Sequence, residues 1–584
     1  MNVHDRAEGW IAGDPDPAAR AELAQLLAQA KSGDAAADRE LSDRFQGPLE
    51  FGTAGLRGLV GAGESRMNRA VVLRATFGLV AHVIRVVKDA KTRGIVIGGD
   101  ARPTSHDLAI AAAEVAAYAG LKVYYLPGTS PTPLVAFLVK HLGAAAGITV
   151  TASHNPPQYN GYKVYLDRGA QIIPPHDQQI ALQISRSPAA RDVPRIELQK
   201  GLSEGLIIDA TSYEEDYLKA VLGLLTVPVE GGRLRIAYTA LHGVGDRFVR
   251  AAMTRAGFTQ LSSEPSQSEP DGRFPTVSFP NPEEPAAMER VLSLGLKERA
   301  DLVLANDPDA DRLAVAAFDR QGQPVVLTGN EIGILLADHV LSRDPRPSPE
   351  RLVVTTVVSS PQLAVMAKAA GVRYKEVLTG FKWIASGALE SEDNEGSRFV
   401  FGYEEALGYT VGTVTRDKDG IGAALVMAEL AALLKQKGQT LLDRLREIRE
   451  KHGLYVSRQK SITLPGKEGA AQIKALMDGL RKKRLELIGS AKVESRWDLW
   501  SGERVKADGS KERVSMPSSD VLSYALQGGG RVAVRPSGTE PKVKIYFDVV
   551  QSLSGGEDLA AATTRGQTQI DGLEAAMLRE MGLA

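Results

Sequence analysis

The sequence predicts an α/β protein of several layered domains, and three observations lead to that class. Short β-rich runs alternate with longer helical stretches over most of the chain. The chain has 584 residues, room for about four domains of ordinary size. Near the C-terminus the pattern changes to a strict alternation of apolar and polar residues, which sets the last domain apart.

Residues 94–97 (GIVI) read as a buried strand. Residues 106–119 (HDLAIAAAEVAAYA) read as a helix, with Ser105 as its N-cap and Gly120 as its stop. The strand 121–126 (LKVYYL) follows, and the unit repeats through TPLVAFLVKHLG to a strand ending in GITVTA. A second series starts near Arg233 with RLRIAYTA. It continues through a helix at about 285–298 to the strand 301–306. A third runs from a strand at 351–360 through a helix to a strand at 398–405. In 541–549, Val543, Ile545, Phe547 and Val549 alternate with Lys542, Lys544, Tyr546 and Asp548, as in a half-exposed antiparallel sheet. The polar, Gly-containing stretch 486–528 reads as loop-rich, and AARAELAQLLAQAKSG near the N-terminus as an amphipathic helix. Boundaries fall near 205, 325 and 455. They give domains 1–205, 206–325, 326–455 and a smaller α+β domain 456–584.

Composition narrows the function. The net charge of -1 gives no global attraction to nucleic acid or to an acidic membrane surface. No cysteine is present, which removes disulfides, thiolate metal sites and cysteine nucleophiles. The N-terminus, MNVHDRAEGWIAGDPDP, lacks the basic and apolar regions of a signal peptide. No run approaches the ~18 apolar residues of a membrane span, so a cytoplasmic protein is expected.

Four motifs could carry chemistry. In GITVTASHNP (147–156) a strand ends in a turn that would display the Ser153 hydroxyl beside His154. A serine nucleophile needs a base or a metal nearby, and His154 and Lys163 are close in sequence. By itself the segment reads rather as a polar turn with local backbone hydrogen bonds. In NDPDADR (306–312), directly after a strand, Asp307, Asp309 and Asp311 alternate, so their side chains can point one way. Two carboxylates ~4 Å apart repel by roughly 4 kcal/mol at an effective dielectric of 20, so three converge stably only around a cation, the alternative being a solvated acidic turn. All-oxygen ligation suits Mg²⁺ or Ca²⁺. An EF-hand is excluded, because Arg312 stands where that loop needs Gly and Phe318 where it needs a bidentate Glu. In RPSGTEP (535–541), Arg535, Ser537, Gly538 and Thr539 could cradle a phosphate, or form an ordinary Pro-Ser-Gly turn. In GYEEALGY (402–409), Glu404 could accept two sugar hydroxyls, or start a helix. Arg57 in FGTAGLRG and Lys418 in RDKDG sit in segments that read as surface loops.

TASHNP, DPDADR, GYEEALGY and RPSGTEP, in this order and at these intervals, resemble the α-D-phosphohexomutase superfamily of phosphoglucomutases and phosphomannomutases, from Phe51 to about Asp548. The resemblance implies three similar α/β domains and a smaller fourth around a central cleft. It implies phosphoserine at Ser153, and Mg²⁺ on Asp307, Asp309, Asp311 and a Ser153 phosphoryl oxygen. Arg312, Thr379, Gly380 and Glu404 would meet the sugar. Arg535, Ser537, Gly538 and Thr539 would hold its distal phosphate, and Arg57, Lys163 and Lys418 would be active-site cations. The activity implied is exchange between sugar 1- and 6-phosphates, glucose foremost, through a sugar 1,6-bisphosphate, in a monomer or homodimer. One position departs: many members carry Ser in the fourth place of the sugar loop, where this chain has Ala406. A missing hydroxyl loosens selectivity, so mannose and ribose phosphates stay open. A metal-dependent phosphatase would need no second phosphate site, and a sugar-phosphate sensor would need neither Ser153 nor the aspartates.

Overall fold

The computed structural model describes residues 2–52, 55–227, 231–344, 346–464, 466–537, 542–553 and 558–583. The chain divides into two compact units, residues 1–327 with 406–438 and residues 328–405 with 439–584.

The first unit holds two mixed sheets. One orders its strands Leu56–Leu59, Tyr159–Leu166, Ala146–Val150, Ile95–Gly99, Val123–Thr129 and Ile207–Asp209. The last four are parallel to one another, whereas Tyr159–Leu166 runs antiparallel to Ala146–Val150. Strands 95–99 and 146–150 are buried throughout and carry no exposed polar face, as a doubly covered parallel core requires. Helix Ser105–Tyr118 packs with helix Arg69–Val86, and helix Thr132–His141 packs with helix Glu214–Leu222. The other sheet orders Pro324–Val326, Ala314–Phe318, Leu302–Ala305, Arg235–Thr239 and Gln260–Ser263, with the last three parallel. Three helices, Val3–Gly13, Pro17–Lys31 and Ala35–Arg44, precede both sheets and close their own cluster of Leu23, Leu27, Leu41 and Phe45.

The second unit contains a parallel trio, Arg373–Val377, Arg351–Thr356 and Arg398–Glu404. Its C-terminal sheet is antiparallel and centres on Lys542–Gln551, between Leu454–Thr463 and Arg531–Pro536. Val543, Ile545, Phe547 and Val549 form one buried face with Ile570, Leu573 and Met577 of helix Leu559–Glu580.

The structure departs from the sequence reading in five places. The strand Ile207–Asp209 pairs with Val123–Thr129, so the first sheet continues beyond residue 205. Ser105 is the first helical residue and not the cap, because its hydroxyl donates to Asp100 Oδ1 at 2.6 Å. The strand expected over 351–360 ends at Thr356. The stretch 486–528 is not loop-rich: it holds strands Leu487–Ile488, Ala491–Asp498, Glu503–Lys506, Lys511–Arg513 and Leu522–Leu526. The polar face of 542–549 is solvent-facing only in part: Lys542 and Lys544 are half-buried, and Tyr546 and Asp548 are buried. Tyr546 packs with Val357, Leu378 and Val521, and Asp548 accepts from Arg531 Nη2 at 2.7 Å.

One buried histidine makes stability depend on pH. His82, on helix Arg69–Val86, has no exposed surface; its Nε2 lies 3.0 Å from His176 Nδ1 and its Nδ1 3.3 Å from Arg85 Nη2. Burial, with His176 and Arg85 beside it, pushes His82 down to about 4. The unfolded chain therefore binds a proton that the fold refuses, and stability falls as pH drops from about 6.5 toward about 4, by about 1–3 kcal/mol. We expect urea denaturation at about pH 7.5 and about pH 5 to give a smaller stability gap in His82→Gln than in wild type. Equal gaps would show that His82 is not the group responsible.

Candidate active site

The first unit's two sheets bring the acidic trio to the serine turn. Strand Ala146–Val150 leads into Thr151–Ser153, and Ser153 adopts φ 51°, in the left-handed region that costs a non-glycine residue about 1–3 kcal/mol. Ser153 is buried, and its Oγ donates to Asp307 Oδ2 at 2.6 Å while lying 3.2 Å from His154 Nδ1. Its N–H donates to Thr151 Oγ1 at 2.8 Å, and Thr151 Oγ1 in turn donates to Asp100 Oδ2 at 2.6 Å. Arg57 Nη1 donates to Asn155 Oδ1 at 2.9 Å.

The aspartate loop follows strand Leu302–Ala305 and is shaped by its own backbone. Ala310, at φ 56°, is also left-handed, which turns the chain between Asp309 and Asp311. Thr132 fixes Asp309 twice: its N–H donates to Asp309 O at 3.0 Å and its Oγ1 to Asp309 Oδ2 at 2.6 Å. Two glycines permit close approach of neighbouring backbone. A Cβ at Gly243 would lie 2.4 Å from Pro308 Cα, and one at Gly420 2.3 Å from Arg312 O. The second contact docks the loop carrying Lys418 against the aspartates.

Carboxylate oxygens of Asp307, Asp309 and Asp311 lie within 4.8 Å of one another, and all three residues are buried. Lys163 Nζ donates to Asp309 Oδ2 at 2.7 Å and to Asp311 Oδ2 at 2.8 Å, and Lys418 Nζ lies 3.3 Å from Asp311 Oδ2. Burial, with Asp309 and Asp311 beside it, pushes the Asp307 carboxyl well above the usual range. Burial would raise Asp309 too, but Lys163 and the hydrogen bonds to its oxygens hold it below that range. Lys163 is destabilised by burial, yet the two aspartates keep its ammonium charged and its pKa raised. Burial, then Arg312 and Arg57, push His154 far below its ordinary value, so its ring is neutral at pH 7. Burial lowers Arg57 to about 10, still protonated at neutral pH. Behind Lys418, Asp417 Oδ2 accepts from Tyr165 Oη at 2.8 Å and Gln171 Nε2 at 2.6 Å.

The donor set suits a hard divalent cation. Among the described residues, Asp309 Oδ1 and Asp311 Oδ1 are buried without a hydrogen-bond partner, which leaves oxygen lone pairs directed at neither protein nor solvent. Two lysines partly neutralise the trio, and a dianionic phosphoryl group on Ser153 would restore the excess negative charge.

The first unit thus collects Ser153, His154, Arg57, Lys163, Lys418 and the three aspartates. Arg312 stands at the rim, with Nη1 3.3 Å from Glu283 Oε2, and Ala406 opens the returning segment of the same unit. Thr379, Gly380, Glu404, Arg535 and Ser537 belong to the second unit. There Glu404 ends strand Arg398–Glu404 and is buried, and Glu405 accepts from Ser359 Oγ at 3.1 Å. Gly380 precedes helix Phe381–Glu395, and Thr379 Oγ1 is buried without a partner among the described residues. Arg535 Nε donates to Tyr546 Oη at 3.3 Å, and Ser537 N to Lys542 O at 2.7 Å. Gly538 and Thr539 lie outside the described residues.

Sequence reasoning missed Asp100, Arg102, Thr132, Thr151 and Asp417. Asp100 and Arg102 follow the strand 95–99 just as the aspartates follow theirs, and that strand-end position was the available signal. Thr132 offered none, because a threonine at a helix start is commonplace.

A buried serine hydroxyl on an acidic trio, ringed by lysine and arginine, is the equipment of a phosphoryl-transfer enzyme. Family models for phosphoglucomutase/phosphomannomutase match four stretches: α/β/α domain I at residues 48–191, domain II at 215–321, domain III at 328–452 and the C-terminal domain at 503–565. The chain belongs to the phosphoglucomutase/phosphomannomutase family, whose members are phosphohexomutases. A phosphopentomutase of Homo sapiens is 35% identical over 563 residues, covering 92% of this chain and 90% of the relative. A phosphoglucomutase of Staphylococcus haemolyticus is 34% identical over 511 residues, covering 86% and 91%. The crystal structure of parafusin, a phosphoglucomutase from Paramecium, in its open form shares the fold with a TM-score of 0.67 at 18% identity, covering 91% of this chain and 95% of that one.

If the trio holds a divalent cation, MgCl₂ should raise the melting temperature by a few degrees, as a ligand present at about 100 times its Kd adds about 2.7 kcal/mol. Asp309→Asn should lose that response. A melting temperature in wild type unmoved by Mg²⁺ and Mn²⁺ would rule the site out.

Proposed function

We propose that the chain exchanges the phosphoryl group of a sugar phosphate between C1 and the terminal hydroxymethyl oxygen, through phosphorylated Ser153 and a sugar bisphosphate. The observation that carries the reading is the 2.6 Å contact of Ser153 Oγ with Asp307 Oδ2 inside the buried trio. Mg²⁺ held by Asp307, Asp309, Asp311 and a Ser153 phosphoryl oxygen would supply neutralisation of charge on the transferring group.

This chain's own residues do the rest. In the first transfer the Ser153 Oγ–phosphorus bond breaks, and the free sugar hydroxyl oxygen bonds to phosphorus as its proton passes to the departing Ser153 Oγ. In the second, the bond between phosphorus and the sugar oxygen at the other end breaks, phosphorus bonds to Ser153 Oγ, and the serine proton ends on the departing sugar oxygen. Neutral His154 lies 3.2 Å from Ser153 Oγ, but burial beside Arg312 and Arg57 makes it too weak a base to keep a proton, so its assigned part is to relay the serine proton rather than hold it. Lys163, Lys418 and Arg57 supply fixed positive charge toward the phosphoryl oxygens. Arg312, Thr379, Gly380, Glu404 and Ala406 are assigned to the sugar. Arg535, Ser537, Gly538 and Thr539 are assigned to the distal phosphate, within a division of domains whose first boundary falls after strand Ile207–Asp209 and whose others fall near 325 and 455.

The substrate reading joins two classes. Glucose 1- and 6-phosphate is the hexose pair, supported by the phosphoglucomutase relatives, with mannose phosphates as a close variant. Pentose 1- and 5-phosphates are read as accepted too. They are supported by Ala406, which offers no hydroxyl to the sugar, and by phosphopentomutase relatives that match 92% of the chain.

Two measurements test this. Ser153→Ala should fold normally and lose turnover on every sugar phosphate by at least about 10³-fold; wild-type-like turnover would rule out the phosphoserine route. Measured with glucose, mannose and ribose 1-phosphates, kcat/KM values for glucose and ribose should agree within about tenfold. Release of free phosphate in place of isomerised sugar phosphate would make the protein a phosphatase.

A further inference from the structure

Behind the Ser153 turn a buried guanidinium collects main-chain carbonyls. Arg102 is 3% exposed. Its Nη2 donates to Ser153 O at 2.7 Å and Asn155 O at 2.6 Å, and its Nη1 to Pro156 O at 2.8 Å and Tyr159 O at 2.9 Å. Its Nε donates to Asp100 Oδ2 at 3.1 Å. Asp100 also accepts from Arg102 N–H at 3.0 Å, Ser105 Oγ at 2.6 Å and Thr151 Oγ1 at 2.6 Å. The centre of the Phe274 ring lies 5.1 Å from the guanidinium carbon.

These contacts hold Ser153 from both ends of its backbone. Its C=O ends on Arg102 and its N–H ends on Thr151, and both partners end on the carboxylate of Asp100. A left-handed serine persists only where its surroundings over-determine it, and this pair of anchors does so. Four carbonyl oxygens of this segment end on one cation, which neutralises their negative ends. A phosphoryl dianion on Ser153 would otherwise meet those dipoles.

We propose that Arg102, fixed by Asp100, is a positioning residue for phosphoryl transfer. It holds Ser153 in the left-handed conformation that aims Oγ at the aspartate trio, and it neutralises the carbonyl dipoles of this segment. The proposal rests on the reading of Ser153 as the phosphorylated residue. Arg102 acts through the main chain, so its loss should slow transfer and leave sugar affinity nearly untouched.

The test compares wild type, Arg102→Met and Thr151→Val. Hydrogen exchange is followed over residues 151–159 and, as an internal reference, over strand Ala146–Val150. Phosphorylation of Ser153 by glucose 1,6-bisphosphate is followed by intact mass, and kcat and KM are measured with glucose 1-phosphate. In Arg102→Met, exchange over 151–159 should accelerate by about tenfold or more with the reference strand unchanged. Ser153 phosphorylation and kcat should fall by about 10²-fold, with KM within about threefold. Wild-type exchange over 151–159, or phosphorylation within about threefold of wild type, would overturn the proposal. Thr151→Val keeps the volume and removes only the hydroxyl link. If Arg102→Met does not fold, the same split is expected of Thr151→Val, and wild-type behaviour there overturns the proposal instead. A wild-type protein that glucose 1,6-bisphosphate never labels would refute the mutase reading, and the exchange comparison would still decide whether Arg102 holds the turn.

Discussion

The site depends on one electrostatic arrangement: three buried carboxylates gathered at the end of one sheet and met by a buried lysine from another. Lys163 sits on strand Tyr159–Leu166 of the first sheet, and Asp309 and Asp311 follow strand Leu302–Ala305 of the second. Neither partner is tolerable alone. An unpaired ammonium or carboxylate at this depth would neutralise itself or bring in water. The two α/β layers are therefore joined at the place where charge is most expensive to leave unmatched, and the serine turn is carried there by the strand beside Lys163. Thr132, which holds Asp309 by both N–H and hydroxyl, comes from the first layer as well, so the joint carries hydrogen bonds besides those of the lysine.

The placement follows from sheet order. Strand 95–99 is central, with 123–129 on one side and 146–150 on the other, and the helices leaving it and its neighbour pack with different partners. Chain ends diverge at such a point and leave a crevice at the carboxyl ends of the strands. Asp100 and Thr151 stand at those two ends and are hydrogen-bonded to each other. The left-handed turn at Ser153 is thus built on a carboxylate presented by the neighbouring strand.

Much of this could be read from the amino-acid order. A strand followed by TASHNP and a strand followed by DPDADR each announce polar groups at a sheet edge, and alternation at 307, 309 and 311 announces convergence. What escaped were residues whose meaning depends on a distant partner. Asp100 and Arg102 read as any charged turn until four carbonyls are seen to face the guanidinium. Ser105 looked like a helix cap, because the pattern of a cap is local and the carboxylate that claims its hydroxyl is not. The strands within 486–528 were obscured by glycine and charge, and Lys511–Arg513 is exposed along its whole length, so no apolar alternation marked it. Asp548 and Tyr546 fitted a solvent face by periodicity, but Arg531 and a second apolar cluster cover them.

The path of the chain carries one more consequence. Residues 406–438 return to the first unit after an excursion through 328–405, and they bring Lys418 and helix Gly420–Gln436 with them. A gene fragment stopping at Leu327 would encode both large sheets and the whole aspartate loop, yet would lack one of the two ammonium groups that balance Asp311. Dissection of this protein into pieces must therefore follow spatial membership. Any recombinant half intended to keep the charge joint intact has to splice 406–438 back onto the N-terminal portion.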